Sequence, residues 1–481
     1  MAAHTPSISA SDDQSDLNSG TTVDGNHHED AIAQLKHEQI VLILPASEET
    51  NGGYLIYSLA ERSPDDGGGG NPFNFSVVHS QLPEESPLLA EYLLDRDSLP
   101  PSHLRQRKPD GSGGREVHVV VSVRSGLRLA GQFYYTAVRP LLKAVGLGGS
   151  EEDGDGYRIT VTNSPNTIRE FARELGAGEK TVVLLSGDGG VVDLLNGLDQ
   201  ADALPTIALL PLGTGNALFH SLHKPHYARP GPAPSPLVLG LRTLFRGTAA
   251  PLPTFRASFS PGARLVSAPA ETGDGSAPAT AATNDTGDGS RHVPVDHLLG
   301  AIVASYGFHA SLVWESDTPA YRKHGDKRFG MAAAELLKTA HAYDATVEVR
   351  RSGGSDEFVR LTNHHGGGTF NYVLATLVSN LEKTFAISPA SKPLDGRLRL
   401  VHFGDVGGEK TMEIMMAAYR DGEHVRMGEV GYEEVEEVRV TIGEEDARWR
   451  KLCVDGSIVE VERGGWMRVR REERERLRVV C

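Results

Sequence analysis

The chain has 481 residues, which is enough for two domains with sizeable hydrophobic cores. Its formal net charge of −16 argues against nucleic acid as the main partner, because phosphate backbones are bound by basic surfaces. The two cysteines exclude a disulfide framework and a cysteine metal site, and they suit a reducing compartment. The sequence contains neither a signal peptide nor an apolar run approaching the ~18 residues of a transmembrane segment. We therefore expect a soluble, cytoplasmic protein whose contact with membranes is peripheral.

The first quarter of the sequence divides into a tail and a β-rich extension. Residues 1–36 are rich in Ser, Asp and Asn, a composition typical of a disordered tail. Residues 37–115 hold three strand-like segments, IVLILPA, GYLIYSLAE and FNFSVVHS, and then a short helix in SPLLAEYLLDRD and a linker. We assign no function to this extension from its sequence.

Strand and helix signals alternate from residue 116 to residue 240. The strand segments are VHVVVSV, YRITVT, TVVLL and PTIALL, and helical segments follow them. One of these helices is predicted to start with Ser164 as its N-cap and Pro165 in its first turn. The alternation predicts a parallel sheet with helices on both faces. In such a domain, ligands bind at the carboxyl ends of the strands, where two glycine-rich loops occur here.

Strand patterns dominate residues 241–481, for example TVEVRRS, VLATLVS, RLRLVHF and EVRVTI. One helix is predicted among them, from Phe329 to Tyr343. The segment from about 267 to 292 has low complexity and is predicted to be a disordered insertion. We expect a second domain built on antiparallel sheet.

The first glycine loop, SGDGG at 186–190, suits phosphate chemistry. Its glycines allow backbone N–H groups to converge on phosphate oxygens, and the next helix presents its positive end. Asp188 would repel phosphate, which makes sense if its carboxylate takes a proton from an attacking hydroxyl or holds a metal ion. The alternative is structural, with Asp188 capping a helix or forming an Asp-Gly turn.

A second glycine loop, PLGTGNAL at 211–218, favours the chemical interpretation. Two such loops at successive strand ends would lie side by side over one nucleotide. The chain lacks the GxxxxGK[ST] signature of a P-loop and the G-x-G-x-x-G spacing of dinucleotide sites.

Together, SGDGGVVDLLNGL and LPLGTGNAL resemble the glycine loops of the diacylglycerol, sphingosine and ceramide kinases, and those of sphingosine kinases most closely. Weaker similarities follow in the same order in VVVSVRSG, YRITVTNSPN, AYRKHGDKRF, PLDGRLRL and CVDG. The resemblance spans roughly residues 117–465.

This resemblance implies a three-layer α/β nucleotide-binding domain followed by an antiparallel β-sandwich that binds lipid. It implies an ATP-dependent lipid kinase that uses Mg²⁺, with Asp188 as the general base and a lipid substrate presented by a membrane surface. It leaves the metal ligands and the oligomeric state open. The implied nucleotide-binding residues are Ser122, Arg124, Thr162, Asn166, Ser186, Gly187, Gly189, Asp193, Gly213, Thr214, Gly215, Arg322, Arg328, Asp455 and Gly456. The implied lipid-binding residues are Ser186, Gly187, Asp188, Gly189 and Ser311.

The sequence also departs from the family pattern. The first phosphate loop lacks the family's Asn-Pro start and Lys–Gly pair, and Ser457 replaces the acid of the late DGE motif. Ser311 and Val313 stand where sphingosine kinases carry acids that can pair with the substrate ammonium. The resemblance makes a sphingoid base the first acceptor to consider, and the absence of these acids leaves diacylglycerol and ceramide open. Two other functions stay open, a catalytically weakened regulatory homologue and a kinase for a soluble substrate.

Overall fold

The computed structural model describes residues 35–47, 52–62, 70–106, 114–148, 156–198, 204–229, 231–267, 284–285, 291–324, 327–351, 353, 357–363 and 366–481. The predicted disordered tail lies outside these residues except for its last two positions. Three sheets of three, six and 14 strands organise the described chain. Within these ranges, no helix has the length and apolar character needed to cross a membrane.

The N-terminal extension forms a small antiparallel sheet, and its three predicted strands are confirmed. They are Ile40–Pro45, Tyr54–Glu61 and Phe73–Ser80, followed by the helix Pro87–Tyr92. The sheet packs on the α/β domain, where the Phe73 and Phe133 rings lie 5.1 Å apart between centroids. The first strand of this small sheet is also bound by Arg242, which donates a hydrogen bond to the Ile40 carbonyl at 2.8 Å.

The six-stranded sheet is the centre of the α/β domain. Its strand order is Arg158–Val161, Glu116–Val121, Lys180–Ser186, Thr206–Pro211, Arg478–Val480 and Ala249–Pro251. The first five strands are parallel and the last is antiparallel to its neighbour. Along the central strand, Val182 and Leu184 pack into the core on one face, and Val183 and Leu185 into the core on the other. Helices therefore cover both faces, which gives the predicted three-layer arrangement.

Five helical segments form the outer layers. The first runs from Ala130 to Leu147 and alternates α-helical with π-helical turns. The others are Thr167–Glu174, Asp188–Gly197, Ala217–Tyr227 and Pro236–Arg246. The helix predicted to start with Ser164 as N-cap begins later, with Asn166 in the N-cap position. The Ser164 hydroxyl instead accepts a hydrogen bond from the Asn166 N–H, which closes a turn before the helix.

The second domain is an antiparallel β-sandwich. Its strands are Phe255–Phe259, Arg264–Ser267, Asn284–Asp285, Arg291–Pro294, His297–Gly300, Val303–Gly307, Tyr343–Arg351, Val359–Leu361, Thr369–Thr376, Arg399–Gly404, Val430–Ile442, Lys451–Val454, Ser457–Glu460 and Trp466–Arg471. Its helices are Phe308–Ser316, Pro319–Arg322, Lys327–Thr339 and Gly407–Ala418.

The structure bears on three sequence predictions for this part of the chain. The helix predicted to end at Tyr343 ends at Thr339, because Ala340 has a left-handed backbone and a strand begins at Tyr343. The predicted insertion at 267–292 is strand-paired at its described ends, while 268–283 and 286–290 lie outside the described residues. Two strands beyond the predicted division at residue 240, Ala249–Pro251 and Arg478–Val480, complete the α/β sheet.

Candidate active site

The two glycine loops touch each other at the carboxyl ends of their strands. The Leu212 N–H donates to the Ser186 carbonyl at 3.1 Å, which joins the two loop starts. A methyl group on Gly187 would lie 2.7 Å from the Gly213 Cα, closer than real side chains approach. Only residues without a side chain fit at this crossing, so the predicted side-by-side placement of the loops is what the structure shows.

Asn216 closes the second glycine loop. Its side-chain oxygen accepts from the Gly213 N–H at 2.9 Å, and its amide donates to the Gly213 carbonyl at 2.8 Å. Asn216 has a left-handed backbone with φ of 52°, which Asn tolerates better than most residues. Thr214 at the tip of this loop is exposed, and Gly215 is half-buried. The turn therefore leaves the tip of the loop accessible to a ligand.

Asp188 caps the helix that follows the second loop. Its two carboxylate oxygens accept from the N–H groups of Ala217 at 2.7 Å and Leu218 at 3.1 Å. Burial raises the pKa of Asp188, and these two hydrogen bonds oppose the rise. The capping alternative is thus realised, although on the helix Ala217–Tyr227 and not on the helix that Asp188 itself begins. The carboxylate lies directly beside the glycine crossing, since its Oδ2 is 3.8 Å from the position of a methyl group on Gly215.

A third loop, residues 122–126, joins the two glycine loops. The Ser125 hydroxyl donates to Ser122 at 2.8 Å and lies 3.1 Å from the Ser186 hydroxyl. Gly126 has no room for a side chain, because a methyl group would collide with the Leu212 carbonyl oxygen. The sequence interpretation overlooked Ser125, although its position inside the first phosphate loop was a usable signal.

Two further predicted residues belong to the edges of this third loop. Thr162, at the end of the neighbouring strand, accepts a hydrogen bond from the Val123 N–H at 3.1 Å. Arg124 is exposed, and in the described part of the chain it has no carboxylate partner. Its guanidinium is thus available to an anionic ligand at the strand ends.

Asp455 reaches the site from the β-sandwich, but its carboxylate is occupied. It accepts N–H bonds from Ala301 and Val303, both at 2.6 Å, and also from Ile302. Burial raises the pKa of Asp455 to about 7, and the nearby Asp188 carboxylate adds to the rise against these hydrogen bonds. The carboxylate thus holds the strand start at 301–303, and its role at the nucleotide stays a prediction. Gly456 follows it with φ of 88°, so the pair forms a left-handed turn.

The helix Asp188–Gly197 connects the domains through a residue outside the predicted site. The Asn196 amide donates to the Leu299 carbonyl at 2.9 Å and its oxygen accepts from the Leu299 N–H at 3.0 Å. Asp193, which is predicted to face the nucleotide, pairs with Arg169 at 3.6 Å. Burial raises the pKa of Asp193 to about 6, and the charge of Arg169 opposes the rise. Asn166, also predicted at the nucleotide, is an exposed residue at the N-terminus of the adjacent helix.

Three other predicted residues have partners within the β-sandwich. Arg322 binds the Asp317 carboxylate through two nitrogens, at 3.1 and 2.6 Å, and Arg328 binds the same carboxylate at 3.2 Å. Ser311 is buried and accepts a hydrogen bond from the Tyr343 hydroxyl at 2.8 Å. Both arginines therefore bind the Asp317 carboxylate, and the hydrogen-bond partner of Ser311 is the uncharged hydroxyl of Tyr343.

The glycine loops at the strand ends have the character of an anion site more than that of a metal site. At the crossing, each glycine leaves room for the backbone of the other loop, and the adjoining tip at Thr214 stays exposed. Over the described residues, no group of three or more His, Cys, Asp or Glu side chains could hold a metal. Mg²⁺ bound through substrate phosphates and one or two carboxylates is compatible with such a site.

Comparison with known proteins finds one family match over part of the chain and several similar structures. Residues 116–242 match the diacylglycerol kinase catalytic domain, which covers all three loops. Curated proteins gave no match. One similar structure is a "putative diacylglycerol kinase" from Bacillus anthracis strain Sterne, with 14% identity and a TM-score of 0.48 over 76% of this chain and 97% of that one. A second, a diacylglycerol kinase from the same strain, has 12% identity and a TM-score of 0.44 over 76% and 96%.

The fold and the site therefore define a two-domain protein, an α/β domain with three meeting loops followed by a β-sandwich. Within its α/β domain, residues 116–242 match the diacylglycerol kinase catalytic domain.

Proposed function

We propose that this protein is an ATP-dependent lipid kinase that transfers the γ-phosphate to a lipid hydroxyl. The observation that carries the proposal is the crossing of two glycine loops with the Asp188 carboxylate directly beside it. The match of residues 116–242 to the diacylglycerol kinase catalytic domain supports the same chemistry. The accessible tip of the second loop and the free guanidinium of Arg124 offer positive and N–H groups to the phosphates.

Asp188 is proposed as the general base. It takes the proton of the lipid hydroxyl while that oxygen bonds to the γ-phosphorus and the bond to the bridging oxygen breaks, which releases ADP. Its raised pKa makes it a stronger base than an ordinary aspartate, and its two N–H partners hold its orientation. Bound Mg²⁺ would neutralise phosphate charge in this reaction.

The acceptor is proposed to be a sphingoid base, with diacylglycerol and ceramide as the alternatives. Sphingosine kinases give the strongest sequence resemblance, which favours the first. Ser311, at the position of a substrate-binding acid in those enzymes, is neutral and bonded to Tyr343, which favours an uncharged lipid. A screen of sphingoid bases, ceramide, mono- and diacylglycerol with labelled ATP decides among them. Labelled product from one class, lost in Asp188→Asn, identifies the acceptor.

A regulatory homologue without activity is the second candidate. The altered first phosphate loop, Ser457 and the use of both Asp188 oxygens in helix capping favour it. In that case, the wild-type protein would bind ATP but form no labelled product with any lipid class in the screen. That result would reject the kinase proposal.

A further inference from the structure

One face of the β-sandwich concentrates arginines in a chain whose net charge is −16. The strand register aligns two rows of outward side chains across five neighbouring strands. We call this surface the arginine face, and it consists of Arg256, Glu348, Arg350, Arg360, Glu437, Arg439, Arg468 and Arg470. Six arginines thus stand against two glutamates on a surface roughly 20 Å wide, at about 4.8 Å per strand.

Successive side chains of a strand point to opposite sides of the sheet, so the buried residues show on which side the arginine face lies. Val347, Val349, Val438 and Val440, which alternate with the arginine-face residues, are buried in the core. Arg468 is exposed on the opposite side of its strand from the buried residues Met467 and Val469. The arginine face is therefore the outer surface of the sandwich.

Much of its positive charge has no internal partner. Glu437 forms ion pairs with Arg350, at 3.3 Å, and with Arg468. Arg256 pairs with Glu472, which lies outside the face. Across the described ranges, Arg360, Arg439 and Arg470 have no carboxylate within ion-pair distance. Arg439 lies over the Trp466 ring instead, 5.5 Å from its centroid. The face therefore has an excess of positive charge, which suits an anionic partner.

A layer of phosphate groups matches this surface best. Guanidinium groups bind phosphate oxygens in pairs, and a sheet face presents several of them to a flat surface at once. An acidic chain is repelled by anionic headgroups unless a local basic surface faces them. We propose that the arginine face docks on an anionic phospholipid bilayer. The choice of a bilayer rests on the proposed function, because a lipid acceptor lies in one.

The arginine face is also close to the catalytic helix. The strand of Arg256 pairs with His297–Gly300, whose Leu299 is bound at both backbone groups by Asn196. Asn196 belongs to the helix that Asp188 begins. One strand therefore separates the docking surface from the element that carries the proposed base.

The test uses the full-length protein and sedimentation with phosphatidylcholine vesicles, with and without phosphatidylserine. The test variant is the triple substitution Arg360→Gln, Arg439→Gln and Arg470→Gln. The control removes equal charge from exposed arginines outside the face, Arg105→Gln, Arg173→Gln and Arg426→Gln. We expect wild type and control to bind anionic vesicles in a salt-dependent way, and the test variant to bind about 100-fold more weakly.

Phosphate transfer to a detergent-solubilised lipid is measured in parallel to separate the two proposals. Retained activity of the test variant in micelles, with vesicle binding lost, supports the docking surface. Equal binding of wild type and test variant, or an equal loss in the control, overturns it. Binding of wild type to polyglutamate but not to anionic vesicles would overturn it in favour of an acidic protein partner. Vesicle binding that depends on the face, without transfer to any lipid, supports docking and rejects only the kinase function.

Discussion

The substitution Asp188→Asn separates two roles of one side chain. Asp188 accepts from both Ala217 and Leu218, whereas Asn offers one oxygen and turns an amide N–H₂ toward a backbone donor. Loss of a helix cap of this kind costs about 1–2 kcal/mol of unfolding free energy. Loss of a general base lowers turnover by about 10²–10⁴, which corresponds to about 3–5 kcal/mol in the activation barrier.

The two effects are measurable independently. A domain of ordinary stability, about 5–15 kcal/mol, stays folded after losing one cap, so turnover can be measured on folded protein. The matched control is Ser235→Ala, which removes the cap of the helix Pro236–Arg246, where the Ser235 hydroxyl accepts from the Val238 N–H at 3.1 Å. We expect both variants to unfold at lower urea concentration and only Asp188→Asn to lose turnover. Near-normal turnover of folded Asp188→Asn, or an equal loss in Ser235→Ala, would refute the assignment of the base.

Four other substitutions test the site's architecture. Gly187→Ala and Gly213→Ala should each weaken ATP binding, because the methyl group forces the crossing loops apart, whereas Gly131→Ala meets open space and should leave nucleotide affinity unchanged in calorimetry. Asn196→Ala should lower the melting temperature by leaving the backbone N–H and C=O of Leu299 unpaired, at about 1–3 kcal/mol for each; an unchanged melting temperature would contradict the interdomain link. Burial raises the Asp455 pKa from 3.8 to about 7, so the folded protein keeps this proton where the unfolded chain has lost it. Relative to Asp455→Asn, wild-type stability should therefore fall as pH rises from about 4 to about 7 in urea unfolding, and a constant difference would show that Asp455 is ionised throughout.

The parts of the site that the sequence predicted are those encoded in short segments. A strand followed at once by glycines places a loop at the sheet edge, so the contact between 186–190 and 211–216 followed from strand order alone. The three strands of the N-terminal extension were equally local, since each is an apolar run between turn residues.

What the sequence could not supply are contacts between distant segments. Asp188 accepts hydrogen bonds from residues 217 and 218, and Asp455 accepts them from residues 301–303. Both sets of contacts depend on how helices and strands meet after folding. A local sequence pattern predicts one helix or strand at a time and does not show which other element packs against it. The arginine face illustrates this, because outward arginines alternate visibly in WMRVRR, while the row they join appears only with the register of the adjoining strands.

The strand Arg478–Val480 runs between Thr206–Pro211 and Ala249–Pro251. During translation, the ribosome must synthesise the entire β-sandwich before this gap in the earlier domain can be filled. The two units are consequently interlocked in their order of assembly, and a fragment ending near residue 240 would expose the backbone donors and acceptors of a bare parallel edge. Proteolytic or genetic separation of the domains should for this reason yield an aggregating product, whereas a fragment joined by a linker to residues 478–480 has the strand needed to cover that edge.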